Sequence, residues 1–275
     1  MSVVPDGGAA ASSLPYSDRV RQVQADQPMR WLGDGMRDYL AAPVVSSVFG
    51  LVFAAVGLAL AYALWRTPFF YLLLPLACGF MLLGPVATTG FQAISRDLER
   101  RSRPSIPAAF SALKANAGPI FYAALAFMLL FMAWLRISEI LFALTFPAGT
   151  SLDAQSLLNV TFFTADGLKF LVLFVVFGFC VAALAFAAGA FSLSMLIDRP
   201  VGAFEAIATS FAAVAMNART MAIWAAILVV LTAVGMAFFF VGLVVTLPIA
   251  GHAAWHAYRA TIRPPDAPVD DAVRA

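Results

Sequence analysis

Long stretches without a charged residue constrain this chain more than any other feature. No Asp, Glu, Lys or Arg occurs in 39–65, 67–95, 115–135, 170–197 or 220–258. A hydrocarbon core of about 30 Å is crossed by about 20 helical residues rising ~1.5 Å each. Each of the first four runs is therefore long enough for one membrane helix. The last is nearly twice that length and is read as a helical hairpin, with its turn placed at Gly235. The expected helices are 44–65, 69–95, 118–143, 168–197, 219–235 and 237–259. Strands are excluded, because a membrane barrel needs alternating polar residues and these runs have none.

Composition agrees. Hydrophobic residues make up 62% of the 275 and charged residues 12%, against roughly 45–50% and about 25% in soluble domains. A soluble fold of this size still exposes much of its area, so lipid must be the main solvent. That excludes a secreted domain, a disordered chain and a cytosolic enzyme. The expected fold is an all-α polytopic membrane protein with six transmembrane helices, spanning 31–262. Polar residues 1–30 and 263–275 are expected to be disordered cytosolic tails. The N-terminal residues lack the basic-then-apolar pattern of a signal peptide, so none is expected. Cys78 and Cys180 both lie inside apolar runs and are expected to be packing residues without a disulfide.

Arginine and lysine set the orientation. If the N-terminus is cytosolic, 14 of the 17 basic residues fall on that side, and only Arg66, Arg136 and Lys169 fall on the other. Both termini are thus expected in the cytosol of a bacterium, with the bundle in the inner membrane. One sizeable outer loop, near 144–167, carries Asp153 and Asp166.

The chain also carries a weak internal repeat. Phe110-Ser-Ala-Leu-Lys-Ala-Asn116-Ala117 matches Phe211-Ala-Ala-Val-Ala-Met-Asn217-Ala218. Each block follows a Pro (Pro104, Pro200) and enters a new apolar run. Ile106, Phe110 and Leu113, like Phe204, Ile207, Phe211 and Val214, recur at helical spacing. Two amphipathic helices along the cytosolic interface are expected there. Pro85-Val-Ala and Pro248-Ile-Ala form a second echo. Such repetition occurs in transporters and in membrane proteins without transport activity. Small residues at Ser46, Gly50 and Ala54, and at Ala185 and Gly189, predict close helix contacts.

Four stretches carry a resemblance. They are Trp31-Leu-Gly-Asp-Gly-Met-Arg-Asp38, Gly84-Pro-Val-Ala-Thr-Thr-Gly-Phe-Gln-Ala-Ile-Ser95-Arg96, Ser192-Leu-Ser-Met-Leu-Ile-Asp198-Arg199-Pro, and Pro248-Ile-Ala-Gly251-His252-Ala-Ala-Trp255-His256-Ala-Tyr258-Arg259. Together they resemble the bacterial integral membrane family catalogued as domain of unknown function 2189, over residues 28 to 262. The chain departs from that pattern at Ser194, often Pro, and Met36, often Trp. The resemblance implies an inner-membrane protein, and some members are labelled cytochrome c oxidase subunit I-like. The histidine count contradicts that label here. A haem–copper core needs axial histidines on its haems and several more on copper, and this chain has 2.

His252 and His256 share one helix face and are the candidates for metal or haem contact or proton relay. The plainer reading is an interfacial belt formed with Trp255, Tyr258 and Arg259. If the second, fourth and sixth helices are neighbours, Ser95, Arg96, Asp198, Arg199, His252, His256 and Arg259 form a cytosolic pocket for an anionic head group or an acidic partner surface. Asp198 is also a candidate N-cap for the following helix. Arg136 with Glu139, and Asp166 with Lys169, are three apart and read as outer-rim ion pairs. No Gly-x-Ser-x-Gly, Walker or His-Glu-x-x-His motif occurs, so no enzyme and no resident cofactor or metal is expected. The basic residues follow the topology without clustering, so nucleic acid is not an expected partner. The expected partners are the bilayer and other inner-membrane proteins. The expected role is non-catalytic: accessory, assembly or scaffold, with respiratory complexes among the candidate associates. A small transporter or channel, or a metal or haem handling factor, is the alternative.

Overall fold

The computed structural model describes residues 14–67, 69–147, 149–150 and 154–264. Residues 1–13, Asp153 and the C-terminal stretch with Arg274 lie outside the described residues. The fold is all-α. The helices are α1 (Gln27–Ala41), α2 (Pro43–Trp65), α3 (Leu73–Leu82), α4 (Gly84–Ala87), α5 (Thr89–Glu99), α6 (Ile106–Ala115) and α7 (Ala117–Thr145), then α8 (Ala154–Phe163), α9 (Ala165–Gly189), α10 (Ser192–Asp198), α11 (Ala203–Met216), α12 (Ala218–Ala237) and α13 (Leu243–Thr261).

Four segments are long and apolar enough to cross a membrane: Pro43–Trp65, Ala117–Thr145, Ala165–Asp198 and Ala218–Ala237. They correspond to four of the six expected helices. The expected helix over 69–95 is divided, with interruptions at Leu83 and Thr88. Pro85 explains the first, since it has no N–H and its ring crowds the carbonyl four residues back. At the second, threonine hydroxyls bond back to carbonyls of the preceding turn. Thr88 Oγ1 donates to Gly84 O at 3.0 Å and Thr89 Oγ1 to Val86 O at 2.8 Å. The expected helix over 237–259 is α13, which is continuous through Pro248 but carries two histidines, Tyr258 and Arg259 in its second half.

The segment Ala165–Asp198 is also interrupted, at Ala190–Phe191. Ser210 fills the gap. Its hydroxyl donates to Ala187 O at 2.7 Å and accepts from Phe191 N at 3.2 Å, so a side chain from another helix replaces the missing rungs. The hairpin turn lies at 238–242 rather than at Gly235, with Phe239 and Phe240 in left-handed backbone. Gly235 serves the hairpin differently. A Cβ there would collide with Thr246 and lie 2.7 Å from Leu243 Cδ2, and Gly242 rests on Gly235 itself. This pair of glycines lets α12 and α13 close against one another.

Residues 14–30 are not the free tail expected of them. Val20 pairs antiparallel with Ile262. Arg21 N donates to Thr261 O, and Arg263 N to Arg19 O, both at 2.8 Å. Asn217 Oδ1 accepts from Val23 N at 2.8 Å, and Thr220 Oγ1 donates to Val23 O at 3.0 Å. Backbone groups satisfied by distant residues hold this stretch in place, and Val20, buried in the main core with Leu14 and Val23 packed beside it, anchors it further. The two described chain ends therefore lie side by side. Their end of the molecule is called proximal below, and the opposite end distal.

Short helices precede three of the long ones at the proximal end: α1 before α2, α6 before α7, and α11 before α12. The residues between them share one conformation: Ala42 (φ −136°, ψ 53°), Asn116 (φ −132°, ψ 42°) and Asn217 (φ −121°, ψ 33°). In α6 and α11 the alanines and hydroxyl residues face inward, at Ala109 and Ala112 and at Ala206, Thr209, Ser210 and Ala213. The larger Phe110, Phe204 and Phe211 face outward.

Packing density differs sharply along the molecule. The long apolar helices are only 17–22% buried. Within α5, α10 and α13, by contrast, Thr89–Ser95, Ser192–Ile197 and Leu247–Ala253 are buried throughout. Ser46, Gly50 and Ala54 are buried on α2, and a Cβ on Gly50 would come within 2.8 Å of Val244 O. Trp31 meets Trp224 edge-on at 5.7 Å, and Trp134 Nε1 donates to Pro75 O at 2.9 Å.

Candidate functional site

Helix α13 is the spine of the proximal polar layer. One face carries His252 and His256, which are four apart and so look the same way. Trp255 and Tyr258 look to one side of it, and Arg259 stands between, three residues past His256. Gly35 allows α1 to lie directly on this helix, since a Cβ there would sit 2.5 Å from Ala253 N. That contact brings Asp38, one turn further along α1, to the histidine face.

A single chain of hydrogen bonds runs through that face. Ser46 Oγ lies 2.9 Å from His252 Nε2, and His252 Nδ1 lies 2.8 Å from Ser95 Oγ. Ser95 Oγ donates to Asp38 Oδ2 at 2.6 Å, and His256 Nε2 lies 2.8 Å from the same oxygen. The proton positions follow from the bonding. Ser95 has one proton and gives it to Asp38, so it must accept from His252 Nδ1–H. Neutral His252 then accepts from Ser46 at Nε2. Every donor in the chain points toward Asp38, so one carboxylate terminates it. Ser46 and His252 are fully buried, while Asp38 and His256 keep some access to water. Burial by itself would raise the Asp38 pKa. The hydrogen bonds from His256 and Ser95, with the two imidazoles close by, outweigh it and hold the carboxyl below its ordinary range.

Tyr258 and Arg259 of α13 take part in a ring. Arg96 of α5 donates through Nη1 to Ile197 O of α10 at 2.9 Å. Arg199, following α10, donates through Nη2 to Tyr258 Oη of α13 at 2.7 Å and through Nη1 to Arg263 O at 3.1 Å. Arg259 of α13 returns to α5, where Nη2 and Nε meet Glu99 Oε1 at 2.8 and 3.1 Å. Each helix end thus reaches the next, and the third closes on the first. Tyr258 Oη donates to Asp198 Oδ2 at 2.7 Å and Trp255 Nε1 to Glu99 Oε2 at 2.9 Å. Two carboxylates and three guanidinium groups are held in charge-assisted bonds, which are roughly twice as strong as neutral ones.

Ser95, Arg96, Asp198, Arg199, His252, His256 and Arg259 therefore all fall in one layer. They divide between two networks and are paired with one another rather than arranged around an open cavity. The belt reading of α13 does not hold, since Trp255 and Tyr258 are buried in protein. Nor does Asp198 cap α11, whose N-cap is Gly202 without a side-chain bond. Among the described residues no group of three or more His, Cys, Asp or Glu is placed to hold a metal ion. The imidazoles of His252 and His256 are taken up by Ser46, Ser95 and Asp38. At the distal end, Arg136 meets Glu139 at 2.7 Å and Lys169 meets Asp166 at 3.1 Å. Both pairs are three apart, with their cations largely exposed.

Reasoning from the sequence missed Asp38, Ser46, Glu99 and Tyr258 as partners. It also missed Gln92, whose Oε1 accepts from Ser194 at 2.9 Å. The junction asparagines were visible only as matching letters. Asn116 Nδ2 donates to Leu196 O at 3.1 Å and Val201 O at 3.2 Å, and Asn217 Nδ2 donates to Arg21 O at 3.0 Å. Their recurrence at the start of two apolar runs was the available signal.

Comparison with known proteins gives one match. Residues 73–198 match the model of a family described as "Predicted integral membrane protein (DUF2189)", the family that the sequence signatures resemble. No curated protein and no solved structure matches the chain.

Proposed function

We propose that this chain is a non-catalytic accessory or scaffold protein of the bacterial inner membrane. It crosses six times, with both ends in the cytosol. The four long apolar helices account for four crossings, the divided segment 70–99 for a fifth and α13 for the sixth. The antiparallel pairing of Val20 with Ile262 supports an even number, because it brings the two ends together. The excess of arginine at that end supports a cytosolic assignment.

One observation carries the accessory reading. The polar groups of the proximal layer are engaged with one another, through the chain ending at Asp38 and the ring of Arg96, Arg199 and Arg259. Side chains so engaged hold helices in place. What the molecule leaves open is the apolar surface of its long helices, which are only 17–22% buried. Such surface suits lipid and neighbouring membrane helices. Extraction from native membranes in a gentle detergent, followed by mass measurement, tests this. A complex of defined stoichiometry larger than the 29.3 kDa protomer is expected, and a protomer running alone would overturn the reading.

A second reading has one specific observation in its favour. The shared conformation of Ala42, Asn116 and Asn217 suggests three successive units of short helix, long helix and return, and internal repetition is common in transporters. Solute flux in reconstituted vesicles that is absent from empty ones would favour it.

A further inference from the structure

We propose that the proximal face of α6 and α11 is a binding surface for anionic phospholipid, so that this protein selects acidic lipids from its surroundings. The proposal deepens the reading of this end as cytosolic and rests on it.

Charge pairing sets this face apart. Among the described residues, Arg21, Arg101, Arg103, Lys114 and Arg219 are exposed at the proximal end and have no carboxylate within ion-pair distance. Asp18 is the only exposed carboxylate there without a cation. Everywhere else at this end the carboxylates are paired: Asp26, Asp34, Asp97, Glu99, Asp198 and Glu205 each meet an arginine. The unpaired groups at this end are therefore five cations against one carboxylate.

The position of these cations is as telling as their sign. Arg101 and Arg103 precede α6 and Lys114 lies in its last turn. Between them Phe110 points outward, 52% exposed, with its ring centroid 6.1 Å from that of Phe49 on α2. The aromatic ring thus lies against the first turns of α2. Helix α11 carries the counterpart of Phe110 in the repeat, Phe211, at 37% exposure, with Arg219 two residues past the Asn217 bend. The fully buried positions are Ala109 and Ala112 in α6 and small residues such as Ala206, Thr209 and Ser210 in α11, so the phenylalanines lie outside the buried faces. Exposed aromatic rings and unpaired cations flanking the start of a long apolar helix match a phospholipid in both parts. The acyl region receives the ring and the phosphate receives the cation.

The test uses the full chain in detergent. Native mass spectrometry would count phosphatidylglycerol and phosphatidylcholine retained from an equal mixture. A preference for phosphatidylglycerol of at least about fivefold is expected, the size of one cation's effect near an anionic surface. Arg101→Gln, Arg103→Gln, Lys114→Gln and Arg219→Gln together should reduce the ratio to about one. Lys114→Gln with Arg219→Gln alone should give an intermediate value, which guards against a quadruple variant that fails to fold. A wild-type ratio of one, or a ratio unmoved by either variant, overturns the proposal. So does displacement of bound phosphatidylglycerol by a polyglutamate peptide, which would assign the face to an acidic protein partner. The assay is blind to sidedness. A reporter fused after Ala275 reads orientation separately, so a wrong topology and a wrong ligand give different results.

Discussion

The two ends of this molecule use the same kinds of residue in opposite ways. At the distal end, Arg136–Glu139 and Asp166–Lys169 are neighbours on single helices, three residues apart, with their cations at 78% and 70% exposure. In the two proximal networks, the partners are 57 to 218 residues apart in the chain and mostly shielded from water, although α1 also carries two exposed local pairs, Arg30–Asp26 and Arg37–Asp34. Exposed pairs at helical spacing contribute about 0.3–0.5 kcal/mol. Buried charges left without a partner cost about 3–5 kcal/mol. The distal pairs decorate the surface, whereas the proximal groups determine which helices meet.

The strongest way to break that contrast is Asp38→Ala. It leaves Ser95 and His256 without their acceptor and reverses no other contact. A loss of about 1–3 kcal/mol is expected from the unsatisfied donors, read as a fall in melting temperature in detergent. A melt within a degree or so of the wild type would mean that the chain of bonds does not hold α1 on α13. Gly35→Val attacks the same junction without touching a charge. Its side chain would meet the Ala253 backbone, and overpacking of this kind costs about 1–3 kcal/mol. Faster backbone exchange confined to α1 is the expected signature.

Acid should sharpen the comparison. The Asp38 carboxyl is held below its ordinary value of 3.8. Its contribution is thus complete above that value and is lost as pH falls through the lower folded one. Melting temperature should decline below about pH 4 in the wild type, and this component of the decline should be missing in Asp38→Asn. Identical acid limbs in the two proteins would refute the assignment. The smallest effect is expected at the distal end. Arg136→Gln with Glu139→Gln should change stability by no more than about 0.5 kcal/mol, and a larger loss would erase the distinction between the two ends.

The difference in what could be read beforehand has the same origin. Ion pairs three residues apart are written into one helix, so spacing alone suggests them. Asp38 illustrates the opposite case. It stands at the edge of the first uncharged run, beside Arg37, and nothing local indicates that its oxygen will accept from Ser95 and His256. Ser210 is similar, since an ordinary serine in an alanine-rich helix gives no hint that it will mend a break in α9–α10. The hairpin glycine was visible but its task was misjudged. Gly235 proved to be a point of close approach within α12, while the chain reversed at 238–242, where two phenylalanines accept left-handed backbone.

Sequence by itself determined the all-α class, the positions of the long apolar helices and the end at which basic residues gather. These follow from transfer free energies and helical rise, which are properties of contiguous residues. Tertiary structure alone decided that the polar layer is tied into one chain and one ring, that the stretch before α1 is held in place, and that two of the three return segments are interrupted. Those outcomes depend on which distant donor reaches which acceptor. That is settled by how closely helices can approach, through Gly35, Gly50 and Gly235, and leaves no periodic trace in the chain.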